Sequence, residues 1–326
     1  MFHTSPLAET PRNFDEFRQE IAEGLGALFG QNAAEQYRQH AEAQFRFSLQ
    51  HPLVTAYEVS DGTRTVGLLV AVVTNDAARI PFYHVLGDYS ATDAPIHLVL
   101  GAVDDLRRRG LRHIVAECVS LSPAVFGDGF LARDFKCIPR LLMSIDLQQT
   151  RSSHGESPLK SRCIPENLCG TIGNLLVDVY RNHPDRPLHI DLQDNPIATR
   201  FVEEVFSGSY GIVYPRYLRA MWENTRVTGV ILGCEIATDC GFVLHVAVHP
   251  DFQKKGIGTK LLHELLQEFR QAQLTRAALA VTEANPAVHL YQRLGFETLR
   301  RYDTYVWQIP ERGVRNGMDM ASIGVS

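Results

Sequence analysis

The sequence predicts an α+β fold built as two similar halves of one chain, and three observations carry that expectation. Its 326 residues exceed what one ordinary core accommodates, and with 45% hydrophobic and 21% charged residues there is apolar material for two cores. In each half a pair of helical patterns precedes a run of short strand patterns, an order unlike alternating βαβ units. That order recurs after about 160 residues, a period too long for a solenoid and suited to a duplicated domain.

Residues 13–50 read as two helices, the first marked by Phe14, Phe17, Ile21 and Leu25 and the second spanning 33–49, with Gly30-Gln31-Asn32 breaking them. Strand patterns follow at 54–59, 65–73 and 80–86, the first two joined by a Ser60-Asp61-Gly62 turn. A helix at 95–109 and strands at 113–119 and 140–147 complete the half. Residues 148–160 are polar and read as a linker. The second half brings helices at 166–180 and 195–206, then strands at 216–222, 227–236 and 241–248. The expected organisation is a first domain over 1–147, a linker over 148–164, a second domain over 165–310 and a tail over 311–326.

A net charge of −5 argues against a nucleic-acid partner, since phosphate backbones demand a basic face. The first twelve residues lack the basic and apolar regions of a secretory signal, and no run of eighteen apolar residues occurs, so no membrane partner and a cytoplasmic location are expected. The six cysteines include no Cys-x-x-Cys pair and match no common zinc spacing; reduced thiols and no metal are expected.

The most informative stretch is Gln253-Lys254-Lys255-Gly256-Ile257-Gly258. An apolar strand pattern precedes it, stopped by His249-Pro250-Asp251, and a helix at 257–271 follows, with Ile257, Leu261, Leu262, Leu265, Leu266 and Phe269 on one face. A glycine turn feeding a helix N-terminus presents unpaired N–H groups and partial positive charge, which suits a phosphate. The dinucleotide fingerprint fails here, with Leu261 in place of its third glycine, and so does the nucleotide P-loop, with Gly258-Thr259-Lys260 where it needs Gly-Lys-Ser/Thr.

The pattern that fits is Gln/Arg-x-x-Gly-x-Gly/Ala after a Val-x-Pro strand end, here Val248-His249-Pro250, and it resembles the GNAT acetyltransferase superfamily. A second motif agrees: Asn285-Pro286-Ala287-Val288-His289-Leu290-Tyr291-Gln292-Arg293-Leu294-Gly295-Phe296 resembles the family's Asn-x-x-Ala-x-x-Leu-Tyr-x-x-x-Gly-Phe signature, with Ala287 one place early. The resemblance covers residues 165–310. Internal correspondences, His84-Val85-Leu86 with His245-Val246-Ala247, Ser122-Pro123-Ala124-Val125 with Asn285 to Val288, and Asp134-Phe135 with Gly295-Phe296, make the chain resemble a tandem GNAT protein. Each domain would then be a mixed, mostly antiparallel twisted sheet flanked by helices.

The resemblance implies acetyl-CoA as co-substrate, its pyrophosphate on the amides of Gln253, Lys254, Lys255, Gly256, Ile257, Gly258 and Thr259. It places the pantetheine arm along Val246, Ala247 and Val248 and beside Asn285, and gives Tyr291 the role of protonating the departing thiolate. Acetyl transfer to a primary amine by direct attack in a ternary complex is the implied reaction. Candidates for the base are Glu235, His245 and His249, and plain strand alternation would set Val243, His245, Ala247 and His249 on one face. In the first half the cradle is replaced by Thr92-Asp93-Ala94-Pro95-Ile96-His97, and Tyr291 falls on Asp128 or Phe130, so that copy is expected not to bind acetyl-CoA. The competing class is a non-catalytic acyl-CoA-binding sensor. The amine acceptor is unspecified, and a homo-oligomer is left open.

Overall fold

The structure is a computed structural model that describes residues 2–118, 126–148, 161–237 and 239–309. The first half comprises β1 (His3–Leu7), α1 (Phe14–Phe29), α2 (Gln31–Leu49), β2 (Val54–Ser60), β3 (Thr65–Thr74), β4 (Ala77–Val85), α3 (Ala94–Arg108), β5 (His113–Ala116), α4 (Phe126–Leu131) and β6 (Lys136–Asp146). The second comprises β7 (Arg162–Cys163), α5 (Cys169–Tyr180), α6 (Asn195–Phe206), β8 (Leu218–Glu223), β9 (Arg226–Ala237), β10 (Cys240–Val248), α7 (Ile257–Gln271), β11 (Arg276–Thr282), α8 (Ala287–Arg293) and β12 (Glu297–Gln308). The linker residues 149–160 and the tail 311–326 lie outside the described residues, as does Ser122-Pro123-Ala124-Val125.

Local sequence accounts for most of these elements. The α1 helix starts with Asp15 and Glu16 in its first turn and stops where Gly30 takes φ 88°. The α7 helix buries Ile257, Leu261, Leu262, Leu265, Leu266 and Phe269, the face its periodicity predicts. Four elements escaped the sequence reading: the two-residue β7, the six-residue α4, the edge strand β1 and β12, whose run of charged residues hides its strand pattern.

The twelve strands of the described residues join one sheet, ordered β1-β2-β3-β4-β5-β12-β6-β11-β10-β9-β8-β7. The pairs β4–β5 and β10–β11 are parallel and the others antiparallel, so each half is mixed and mostly antiparallel. In the second half α7 and α8 cover one face of the sheet, and α5 and α6 cover the other. The final strand of each half lies in the other half's sheet: β6 pairs with β11 along Arg276 to Thr282, and β12 pairs with β5. Leu141, Met143 and Ile145 of β6 thereby enter the core of the second half, while Tyr305 of β12 enters the core of the first.

The halves also show where the true repeat register lies. Ala77 and Cys240 open equivalent parallel pairings, with partners His113 and Arg276, and Ala94 and Ile257 open equivalent helices. That register sets His84 against Ala247, two places from the His245 chosen on sequence, because the histidines match by type and not by position.

The exchange makes neither half self-sufficient. Residues 161–309 produced alone would leave β11 paired only with β10 over four residues, without the strand that pairs it along its whole length, and expose the apolar face β6 fills. That fragment is expected to be insoluble or unfolded by circular dichroism, and a cooperatively folded, soluble fragment would contradict this.

Candidate functional site

Strands β10 and β11 are paired only from Cys240 to Val243 against Arg276 to Leu279. Beyond that point β11 continues along β6 and β10 along β9, so the two diverge. A bulge at Leu244 marks the divergence, with Val243 opposite Gly233 and His245 opposite Leu232. The resulting cleft has a volume of about 240 Å³. Among its walls are Val246, Ala247 and Val248 of β10, Gln253 and Gly258 of the glycine turn, Asn285 and Tyr291. Two motifs far apart in sequence thus open onto one space.

At the cleft's edge Gly256 adopts φ 79° and Lys254 φ 60°, and no backbone acceptor among the described residues takes the amides of Lys254, Lys255 or Gly256. Lys260 is the first residue of α7 whose N–H reaches a carbonyl, that of Gly256 at 3.0 Å. The amides of Ile257, Gly258 and Thr259 precede any intrahelical acceptor and have no partner among the described residues. Gln253 Nε2 donates to the Val248 carbonyl at 3.2 Å and ties the turn to the strand end. Of the neighbouring cations, Lys260 pairs with Glu264 at 3.4 Å and Lys255 lies over the Phe252 ring, so the backbone carries most of the anion-binding capacity.

Tyr291 is buried to 7% exposure, and its phenol pKa is pushed up to about 12, chiefly by loss of hydration, with Arg140 opposing and Asp185 adding to the shift. It is a neutral acid at pH 7, able to donate a proton to a developing anion. Asn285 is held at both ends of its amide: Oδ1 accepts from Ala287 N at 2.9 Å, capping α8, and Nδ2 donates to Asp185 Oδ2 at 3.0 Å.

The base candidates separate. His245 lines the cleft, packed edge-on against Tyr180 and Phe201 and 5.2 Å from the His189 ring. Burial depresses its pKa to about 4, and that of His189 also falls well below the usual range for the same reason. Such a ring is neutral at pH 7 but weakly basic. His249 does not share that cleft: its Nδ1 accepts from the Asp251 amide at 3.2 Å, and its Nε2 lies 2.8 Å from the Arg226 guanidinium. The alternation expected of β10 fails at the bulge, which puts Leu244 and His245 on the α5–α6 face while Val243, Val246 and Val248 face α7. Glu235 is not a cleft residue either. It pairs with Gly241 near the start of β10, and its carboxylate accepts from Tyr217 at 2.6 Å.

Among the cleft residues that went unnoticed in the sequence are Asp185 and His183, from the segment after α5, and Arg140, from β6 of the first half. His183 Nδ1 lies 3.7 Å from Asp185 Oδ2. No local pattern flags them, because each reaches the cleft through chain pairings distant in sequence.

The depressed histidines also predict acid sensitivity. An unfolded imidazole binds protons from about pH 6.5, whereas folded His245 resists until about pH 4, so its contribution is complete above 6.5 and is lost through that window. By pH 5 the loss is about 2 kcal/mol from this residue alone. The melting temperature is expected to fall between pH 7 and pH 5, and less steeply in His245→Gln.

In the first half the equivalent places have changed. The α3 helix starts from Asp93 with no positive φ in the turn, Pro95 lacks an N–H, and the Ala94 amide is taken by Thr92 Oγ1 at 3.2 Å. The Phe135 amide bonds the Phe130 carbonyl just as the Phe296 amide bonds that of Tyr291, so the tyrosine's counterpart is Phe130, not Asp128. Tyr83 packs edge-on against Phe126 and Phe130 there.

The site is thus a parallel strand pair that splays beside a glycine turn, with a buried tyrosine across the gap. Residues 182–296 match the acetyltransferase (GNAT) family. The chain is 28% identical over 120 residues to the [ribosomal protein bS18]-alanine N-acetyltransferase of Escherichia coli, an alignment spanning 36% of this chain and 79% of that one. It is 40% identical over 77 residues to the uncharacterized N-acetyltransferase ycf52 of Pyropia yezoensis, 22% of this chain and 41% of that protein. Among solved structures, a GCN5-related N-acetyltransferase from Sphaerobacter thermophilus superposes with TM-score 0.65 at 15% identity, covering 94% of this chain and 95% of that one. A tandem GNAT protein from the clavulanic acid biosynthesis pathway superposes with TM-score 0.58 at 15% identity, covering 94% and 98%. The chain is therefore an acetyltransferase of tandem GNAT fold, and its second half carries the GNAT family domain.

Proposed function

We propose that the second half binds acetyl-CoA in the β10–β11 cleft and transfers the acetyl group to a primary amine by direct attack in a ternary complex. The observation that carries this reading is the convergence of unpaired α7 amides, the unpartnered edge of β10 and the Tyr291 phenol on one cleft. Acetyl-CoA supplies an activated thioester. The unpaired amides of Ile257, Gly258 and Thr259 hold its pyrophosphate, with those of Lys254, Lys255 and Gly256 beside them and the Gln253 amide already given to the Pro250 carbonyl at 3.3 Å, and the β10 edge at Val246, Ala247 and Val248 receives the pantetheine arm as an added strand, beside Asn285. Tyr291 Oη donates its proton to the leaving sulfur.

On the amine side Asp185 is the better-placed group. Its carboxylate holds the incoming ammonium, and partly exposed His183 beside it passes the released proton to solvent. His245, with its weakened basicity, lines the cleft and orients its neighbours. Glu235 has no part in this scheme. The first half binds no acetyl-CoA, so titration calorimetry is expected to give one site per chain.

The test is thiol release from acetyl-CoA with and without a panel of amines that includes a peptide beginning with alanine, the acceptor residue named for the E. coli relative. Amine-dependent release supports the transferase; tight acetyl-CoA binding with no release for any amine would favour the sensor.

A further inference from the structure

Arg140 and Thr282 stand side by side in the cleft wall with unmet hydrogen-bonding capacity. Arg140 is 8% exposed and Thr282 9%, and neither Arg140 Nε nor Thr282 Oγ1 has a hydrogen-bond partner among the described residues. They are register partners across β6 and β11, so both side chains rise from the same face of the sheet, the face on which His245 lies. Both line the same cleft as Tyr291 and Asp185. Buried donors left without acceptors are rare in native proteins, and two adjacent ones in a ligand cleft mark where a ligand atom completes the set.

The surrounding charges say what kind of ligand. Arg140 Nη1 pairs with Glu117 at 2.9 Å, and Arg79 pairs with Asp191 at 2.6 Å and with Glu117 at 3.4 Å. Against the two arginines stand three carboxylates, those of Glu117, Asp191 and Asp185. The surplus carboxylate asks for a cation. The arginine's charge is already answered by Glu117, so its free Nε–H asks only for an oxygen lone pair.

We propose that Arg140 and Thr282 form an oxygen-binding subsite that selects acceptors with an acyl oxygen on the carbon next to the amine: an α-amino acid, its amide or the first residue of a peptide. The inference rests on the acetyltransferase reading above. The ammonium lies toward Asp185, and the acyl oxygen accepts from Arg140 Nε and Thr282 Oγ1. Because Arg140 comes from the exchanged strand, the first half contributes directly to acceptor choice.

The experiment compares L-alaninamide, L-alanine and ethylamine as acceptors, with kcat/KM corrected for the fraction of free amine, in the full chain and in Thr282→Val and Arg140→Gln. Alaninamide or alanine is expected to exceed ethylamine by roughly 100-fold, as a site built to bond a polar group rejects the analogue lacking it. Whichever of the two is preferred decides between a neutral amide and a free carboxylate. Thr282→Val is expected to cut that preference about tenfold. Equal rates for ethylamine and alaninamide, or proportional losses for both in the variants, would overturn the subsite while leaving the transferase intact. If no acceptor turns over, calorimetric binding of the three compounds to the CoA-loaded protein still decides. Selective alaninamide or alanine binding that weakens in Thr282→Val supports the subsite, and indiscriminate or absent binding refutes it.

Discussion

Tyr291→Phe is expected to lower kcat by about 10³-fold, within the range general acid catalysis supplies, and to leave acetyl-CoA affinity nearly intact. The ring keeps its place, 5.9 Å from Phe296 and within the apolar core of the second half, so folding stability should change by no more than about 1 kcal/mol. What is lost is a proton held by a phenol whose pKa is about 12, in a place sheltered from water. Because that pKa lies so high, the wild-type rate should show no alkaline decline from this group until pH approaches 12. Single-turnover measurements of thiol release would check the result, and an unchanged rate would remove Tyr291 from the mechanism.

Gly256→Asp is expected to weaken acetyl-CoA binding at least about 100-fold, and two physical effects combine. The residue sits at φ 79°, and a side chain in that left-handed conformation costs about 1–2 kcal/mol. The added carboxylate would also occupy the open space in front of unpaired amides and repel a pyrophosphate. Nothing lies within 4 Å of where a Cβ would stand, so crowding inside the protein is not the cause. Gly256→Ala separates the two: it carries the strain without the charge and should lose about tenfold or less. Calorimetric titration with acetyl-CoA distinguishes the variants, and equal losses in both would assign the effect to backbone strain.

Much of this fold and part of the candidate site were legible in the sequence. The helix pairs, most strands, the glycine turn and the helix after it follow from periodicity and turn chemistry, interactions that span a few residues. The Asn285 to Phe296 motif and the degeneration of the first half at Asp93 and Pro95 are equally local. Strand alternation on β10 was misread because a bulge is a property of a pairing, and no residue near Leu244 announces it. Glu235 was chosen for lying at a strand end, but antiparallel pairing put it beside the start of β10, away from the end that splays.

The sequence by itself marked a glycine turn suited to an anion, the Asn285 to Phe296 motif and a chain that carries the fold pattern twice and the glycine turn once. Only the tertiary structure decided that β6 and β12 change places between the halves, and with that exchange came Arg140, Glu117 and Tyr302 beside the cleft. Strand exchange is invisible in a linear pattern, since a strand reads the same whichever sheet receives it; the choice is made by register and core packing over more than a hundred residues of chain.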